Sequence, residues 1–71
     1  MKVMITGAAG AIGSVLAEGL KDRHEVRGFD TQEMPNLDDA FVGDISDLDL
    51  VSAASEGMDA IIHLVNVPGG E

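Results

Sequence analysis

Apolar residues follow two kinds of pattern along this chain. Lys2 to Thr6 read KVMIT, a short β-rich run ending at a glycine, and Asp59 to Val67 read DAIIHLVNV, nearly all apolar, before Pro68-Gly69-Gly70. Apolar runs of this length between turn residues predict strands buried on both faces. Within Ala11 to Leu20, by contrast, Ile12, Leu16 and Leu20 recur every fourth position, the stripe of an amphipathic helix. His24 to Asp30 (HEVRGFD) predicts a second strand with Val26 and Phe29 as its bulkiest apolar members, and Ala40 to Gly43 (AFVG) a short third. Between these two, TQEMPNLDD carries Pro35, Asn36 and Asp38 and reads as a loop. A second helix starts within Asp44-Ile45-Ser46-Asp47, with Asp44 or Ser46 as its N-cap and Asp47 and Asp49 in the positive first turn. Leu48, Val51, Ala53 and Ala54 form its apolar side, and Gly57 stops it.

The resulting order, β-α-β-loop-β-α-β, predicts an α/β fold around a parallel sheet. The connection between the second and third strands carries no helical pattern and is the irregular part of that scheme. At 71 residues the chain forms one small domain, whose core is marginal without a partner or a crosslink. It has no cysteine, which excludes disulfides and thiolate zinc sites and suits a reducing compartment. Its two histidines stand apart and its aspartates lack calcium-loop spacing, so no metal site is expected. The start of the chain is too short and glycine-rich for a secretory signal, and no apolar run approaches the roughly 18 residues of a membrane span. The expectation is a cytoplasmic protein with no membrane partner.

Charge narrows the functions further. Thirteen acidic residues against four basic ones (Lys2, Lys21, Arg23, Arg27) leave a net charge of −9. No basic face for nucleic acid can be assembled from four cations. An anionic ligand would also be repelled at long range, so any phosphate site has to work through local backbone donors.

Such donors are suggested by TGAAGAIG, where Gly7, Gly10 and Gly13 stand three residues apart between a strand and a helix. In that setting Gly7 permits the tight turn, Gly10 lets backbone approach a pyrophosphate, and Gly13 allows close packing of the helix on the sheet. The helix start offers free N–H groups and a positive dipole end. Asp30 closes the second strand, about 20 residues on, where a carboxylate accepts the adenosine ribose hydroxyls. It would repel a 2′-phosphate, and the glycine loop has no Lys or Arg to offset that, so NAD is favoured over NADP. After the third strand, Asp44 and Ile45 are placed to meet the adenine amino group and ring, or Asp44 simply caps the following helix. His63, among apolar neighbours, reads as a hydrogen-bonded core histidine, and His24 as an exposed turn residue.

TGAAGAIG, the FD of the second strand, GDISD and DAIIHLV together resemble the extended short-chain dehydrogenase/reductases. Within that group the similarity is to the NAD-dependent epimerase/dehydratase family, and it looks more like the uronate dehydrogenase branch than the nucleotide-sugar epimerases. The resemblance implies a Rossmann-type sheet in strand order 3-2-1-4 with a helix on each face. It implies that Gly7, Gly10, Ala11, Ile12 and Gly13 contact the NAD pyrophosphate, Asp30 the adenosine ribose, and Asp44 and Ile45 the adenine. Leu64 and Val65 would line the cofactor toward the nicotinamide, although the family commonly has Ala or Gly where Val65 stands.

Catalysis in this family uses a Tyr with a Lys four residues later, and this sequence contains no tyrosine. Residues 1–71 are therefore expected to be the N-terminal dinucleotide-binding part of a longer sugar- or nucleotide-sugar-modifying enzyme. Alone they would bind NAD weakly and catalyse nothing. A non-catalytic NAD-sensing module shares every one of these motifs, and a ligand-free βαβ scaffold would share the fold alone. The fourth strand would present an open apolar edge, and single-helix coverage would leave sheet area bare. Both favour self-association.

Overall fold

The computed structural model describes residues 1–64 of the chain. Its elements are β1 (Lys2–Thr6), α1 (Ala11–Leu20), β2 (Glu25–Asp30), β3 (Ala40–Val42), α2 (Leu48–Ser55) and β4 (Ala60–His63). The four strands form one parallel sheet in the order β3-β2-β1-β4, as the resemblance implies. β1 pairs with β2 from Lys2↔Glu25 to Thr6↔Phe29 and with β4 from Val3↔Ala60 to Thr6↔His63. A central strand covered on both faces has no polar side to show, which is why KVMIT does not alternate.

Successive side chains of β1 feed two separate cores. Val3 and Ile5 face α1 and pack with Ala8, Ala17 and Val26, with Leu16, Leu20 and Ile62 closing round them. Met4 faces the other way, with Phe29 and Ala54, and there Leu50 and Val51 of α2 complete the cluster. Each face thus has its helix. The β2–β3 connection is irregular, as expected, but it also buries Met34 and Leu37 in the α1-side core. Gly28 makes room for them: a Cβ there would come within 2.6 Å of both Leu37 Cδ1 and Met34 Sδ. The α1 face is therefore covered by loop as well as helix, and is less bare than its single helix suggests.

Arg27 explains how a cation sits in mid-sheet on the α2 face. Its Nε donates to both oxygens of Asp39 at 3.1 Å, and its terminal nitrogen donates to the Ala54 carbonyl at 2.7 Å. The guanidinium lies 5.0 Å from the Phe41 ring centroid. One side chain thereby joins β2, the approach to β3 and the last turn of α2, where a positive charge also complements the helix dipole.

Several boundaries differ from expectation. β2 starts at Glu25 and not at His24, whose backbone N–H turns back to the Leu20 carbonyl at 2.9 Å. His24 is half-buried where exposure was expected, and its Nδ1 is buried with no hydrogen-bond partner among the described residues. β3 ends at Val42, one residue short of expectation, although the Gly43 N–H still donates to the Asp30 carbonyl at 2.9 Å and so adds a last rung to the ladder. The last part of the expected fourth strand, from Val65 to Val67, lies outside the described residues. Among the described residues no helix is long and apolar enough to cross a membrane.

Candidate functional site

The turn after β1 is built from backbone. Gly7 has φ 78°, in the left-handed region where a Cβ is strained, and its N–H donates to the Phe29 carbonyl of β2 at 2.8 Å. Gly10 donates back to the Gly7 carbonyl at 3.1 Å and closes the turn. Gly13 then permits the first turn of α1 to sit directly on it. A Cβ at Gly13 would overlap the Gly7 carbonyl oxygen and lie 2.9 Å from the Ala8 Cα. The close approach expected between helix and sheet is thus an approach between helix and turn.

The start of α1 is left open. Its N-cap is Gly10, with no side-chain cap and no acidic residue in the first turn. The N–H groups of Ala11, Ile12 and Gly13 have no carbonyl four residues back inside the helix, and they carry the positive end of its dipole. α2 is treated the opposite way. Asp47 caps it by accepting from the Leu50 N–H at 3.1 Å, and Asp49 lies in its first turn. The open end of α1 borders a cleft of about 270 Å³ lined by Gly7, Gly10, Ala11, Ile12, Gly13 and Leu64. Ile12 is 73% exposed there. A helix start with free donors above a glycine-lined hollow suits an anion.

Asp30 stands at the carboxyl end of β2, half-buried, and reaches the same turn. Its Oδ2 accepts from the Ala9 N–H at 2.9 Å, while Oδ1 accepts from the Gln32 N–H at 3.1 Å. Oδ1 also takes the Thr31 hydroxyl at 3.4 Å, and since each carboxylate oxygen has two acceptor directions, Oδ2 keeps one to spare. Asp44 and Ile45 do not border the cleft. They follow β3, on the far side of β2, and Ile45 packs on the Met4–Phe29–Ala54 cluster. Asp44 does not cap α2, and neither does Ser46: the cap is Asp47, three residues after the first and one after the second. Asp44 instead closes a local turn, its Oδ1 accepting from the Ser46 N–H at 2.9 Å and the Ser46 hydroxyl at 2.8 Å. Val65 lies outside the described residues.

Sequence reasoning passed over Thr6. This residue is 1% exposed, with its Oγ1 2.7 Å from His63 Nδ1 and accepting from the Leu64 N–H at 3.1 Å. His63 is hydrogen-bonded as expected, but it is exposed and not a core residue. A polar residue closing an otherwise apolar β1 was the available signal.

The Asp44 turn has a measurable consequence. Donation from the Ser46 backbone and then from its hydroxyl holds the Asp44 carboxyl below its ordinary value of 3.8. A depressed folded-state pKa contributes stability above the unfolded value, and this is lost as pH falls through the folded one. Following the Asp44 side-chain carbon by NMR across an acid titration should show it protonating below 3.8. In Ser46→Ala, which keeps the backbone donor, the midpoint should move part of the way back up.

Comparison with known proteins agrees with this geometry. The model of the NAD dependent epimerase/dehydratase family matches residues 3–71. L-arabinose 1-dehydrogenase (NAD(P)(+)) of Haloferax volcanii is 36% identical over 67 residues, covering 94% of this chain and 26% of that enzyme. A short-chain dehydrogenase/reductase superfamily protein from Agrobacterium tumefaciens, solved with bound NAD, superposes with a TM-score of 0.89 at 28% identity. That match covers 100% of this chain and 22% of the other. Uronate dehydrogenase from the same organism superposes with a TM-score of 0.80 at 32% identity, covering 93% of this chain and 26% of its own. The chain spans about a quarter of the length of these relatives. With nearly its whole length matched by the family model and the strand order in agreement, this chain belongs to the NAD-dependent epimerase/dehydratase family.

Proposed function

We propose that residues 1–71 hold the adenosine and pyrophosphate half of NAD within an enzyme that oxidises, reduces or epimerises a sugar or a nucleotide sugar. The observation that carries this reading is the uncapped start of α1 above a glycine-lined cleft, beside a strand-end carboxylate. The residues present fit the group. The start of α1 carries neither a side-chain cap nor an acidic residue, and donors without protein partners suit two phosphates.

In this reading Gly7, Gly10, Ala11, Ile12 and Gly13 cradle the pyrophosphate, and Asp30 accepts the ribose hydroxyls. Asp44 and Ile45 meet the adenine, while Leu64 and Val65 form the wall toward the nicotinamide. NAD supplies the hydride acceptor when bound. These residues bind and orient it, and with no tyrosine in the sequence they do not perform proton transfer on a substrate. The dehydrogenases of L-arabinose and of uronate among its relatives favour a sugar substrate. The lack of cysteine suits a cytoplasmic setting.

Titrating NAD against the protein should give weak, saturable binding, with NADP weaker still. Asp30→Ala should lose about tenfold or more in affinity, the equivalent of about 1.4 kcal/mol. Equal affinity of the two proteins, or none for either, would contradict the cofactor reading.

Association of copies belongs to the same proposal. β4 is an edge strand among the described residues, and its Ile61 is 50% exposed. Unpaired strand edges with apolar side chains recruit further strands. Light scattering at high protein concentration should therefore report a mass above the monomer, and a strictly monomeric mass would refute it.

A further inference from the structure

We propose that Thr6 is a positioning residue for the cofactor cleft, its hydroxyl holding the Leu64 wall against the glycine turn. This rests on the reading of the cleft as a dinucleotide site. Thr6 is the last residue of β1, and Gly7, the next along the chain, already belongs to one wall of the cleft. Leu64, immediately after β4, belongs to the other. Thr6 is the point at which the two walls are tied together.

The tie is double. The Leu64 N–H donates to the Thr6 carbonyl at 3.1 Å and to the Thr6 hydroxyl, also at 3.1 Å. The carbonyl bond continues the parallel ladder and would form with any residue at this position. The hydroxyl bond depends on the side chain. The register pairs Thr6 with His63 and sets both side chains on the face that carries Met4, away from α1. Thr6 therefore fixes the Leu64 backbone from the face opposite α1 and does not itself line the cleft.

The hydroxyl is buried, so its own proton needs an acceptor. With Leu64 already donating to Oγ1, the neighbouring acceptor is His63 Nδ1 at 2.7 Å. A neutral His63 then carries its proton on Nε2, and the chain of bonds runs Leu64 N–H to Thr6 Oγ1–H to His63 Nδ1. Removing the hydroxyl leaves the ladder bond at Leu64 intact and exposes His63 Nδ1 to water. The sheet should persist while the cleft wall loosens.

The substitutions Thr6→Val, which keeps shape and loses the hydroxyl, and Thr6→Ser, which keeps the hydroxyl, separate these roles. Thr6→Val should retain the circular dichroism of the parent and bind NAD about three- to tenfold more weakly, the size of a lost net hydrogen bond. Thr6→Ser should recover most of that loss. In alkaline buffer, with the imidazole neutral, long-range ¹⁵N–¹H correlation should place the His63 proton on Nε2 in the parent. The same spectrum should show a mixture of tautomers in Thr6→Val. NAD affinity unchanged in Thr6→Val, failure of Thr6→Ser to recover it, or an Nδ1 proton in the parent would each overturn this inference alone. Absence of NAD binding by the parent would overturn the function reading and this inference with it.

Discussion

Two hydrogen bonds from the end of β2 hold the glycine turn in place. The Phe29 carbonyl takes the Gly7 N–H at 2.8 Å, and the Asp30 carboxylate takes the Ala9 N–H at 2.9 Å. Between them the turn cannot swing off the end of the sheet, and the start of α1, resting on the turn at Gly13, is fixed with it. The remainder of α1 then lies along β1 and β2, where Ala17 is fully buried against the Val3–Ile5–Val26 core. Parallel pairing is a condition for this arrangement. Only with β1 and β2 running the same way do the glycine turn and Asp30 emerge at one end of the sheet.

That end of the sheet is an unusual place for an anion in a chain of net charge −9. The four basic residues do not help. Lys2 opens β1 at the opposite end, Lys21 and Arg23 follow α1, and Arg27 is engaged with Asp39 and the last turn of α2. Attraction has to come from donors in contact with the ligand, since fields from more distant charges are screened beyond about 8 Å in physiological salt. The two helices divide this work by their caps. Asp47 satisfies the start of α2 with the chain's own carboxylate, while Gly10 leaves the start of α1 for something else.

Most of the scaffold was legible in the sequence because its signals are local. The run KVMIT, the four-residue stripe of α1 and the glycine after α2 depend on neighbours only. The cap of α2 was misread for a physical reason: Asp44, Ser46 and Asp47 are all competent caps within four residues. The choice depends on which oxygen reaches a free N–H, and Asp47 lies three residues before Leu50. Met34 and Leu37 sit in a loop without periodicity, so nothing in the spacing marks them as core. Likewise the Thr6–His63 contact spans 57 residues and exists only through the β1–β4 register. The glycine turn and Asp30 were read as a unit and are joined by a hydrogen bond. Asp44 and Ile45 follow β3, across β2 from the turn and outside the cleft, so their part in the site rests on a ligand long enough to reach past Asp30 and not on a contact with the turn.

The central claim is that the open start of α1 and the turn beneath it are the dinucleotide site. Amide chemical-shift mapping by ¹⁵N–¹H correlation during addition of NAD tests it most directly. The account predicts progressive shifts at Gly7, Gly10, Ala11, Ile12, Gly13, Asp30 and Leu64, with the amides of the capped α2, Leu48–Ser55, left largely in place. Shifts confined to α2 or spread evenly over the sheet, with the glycine turn unmoved, would contradict it.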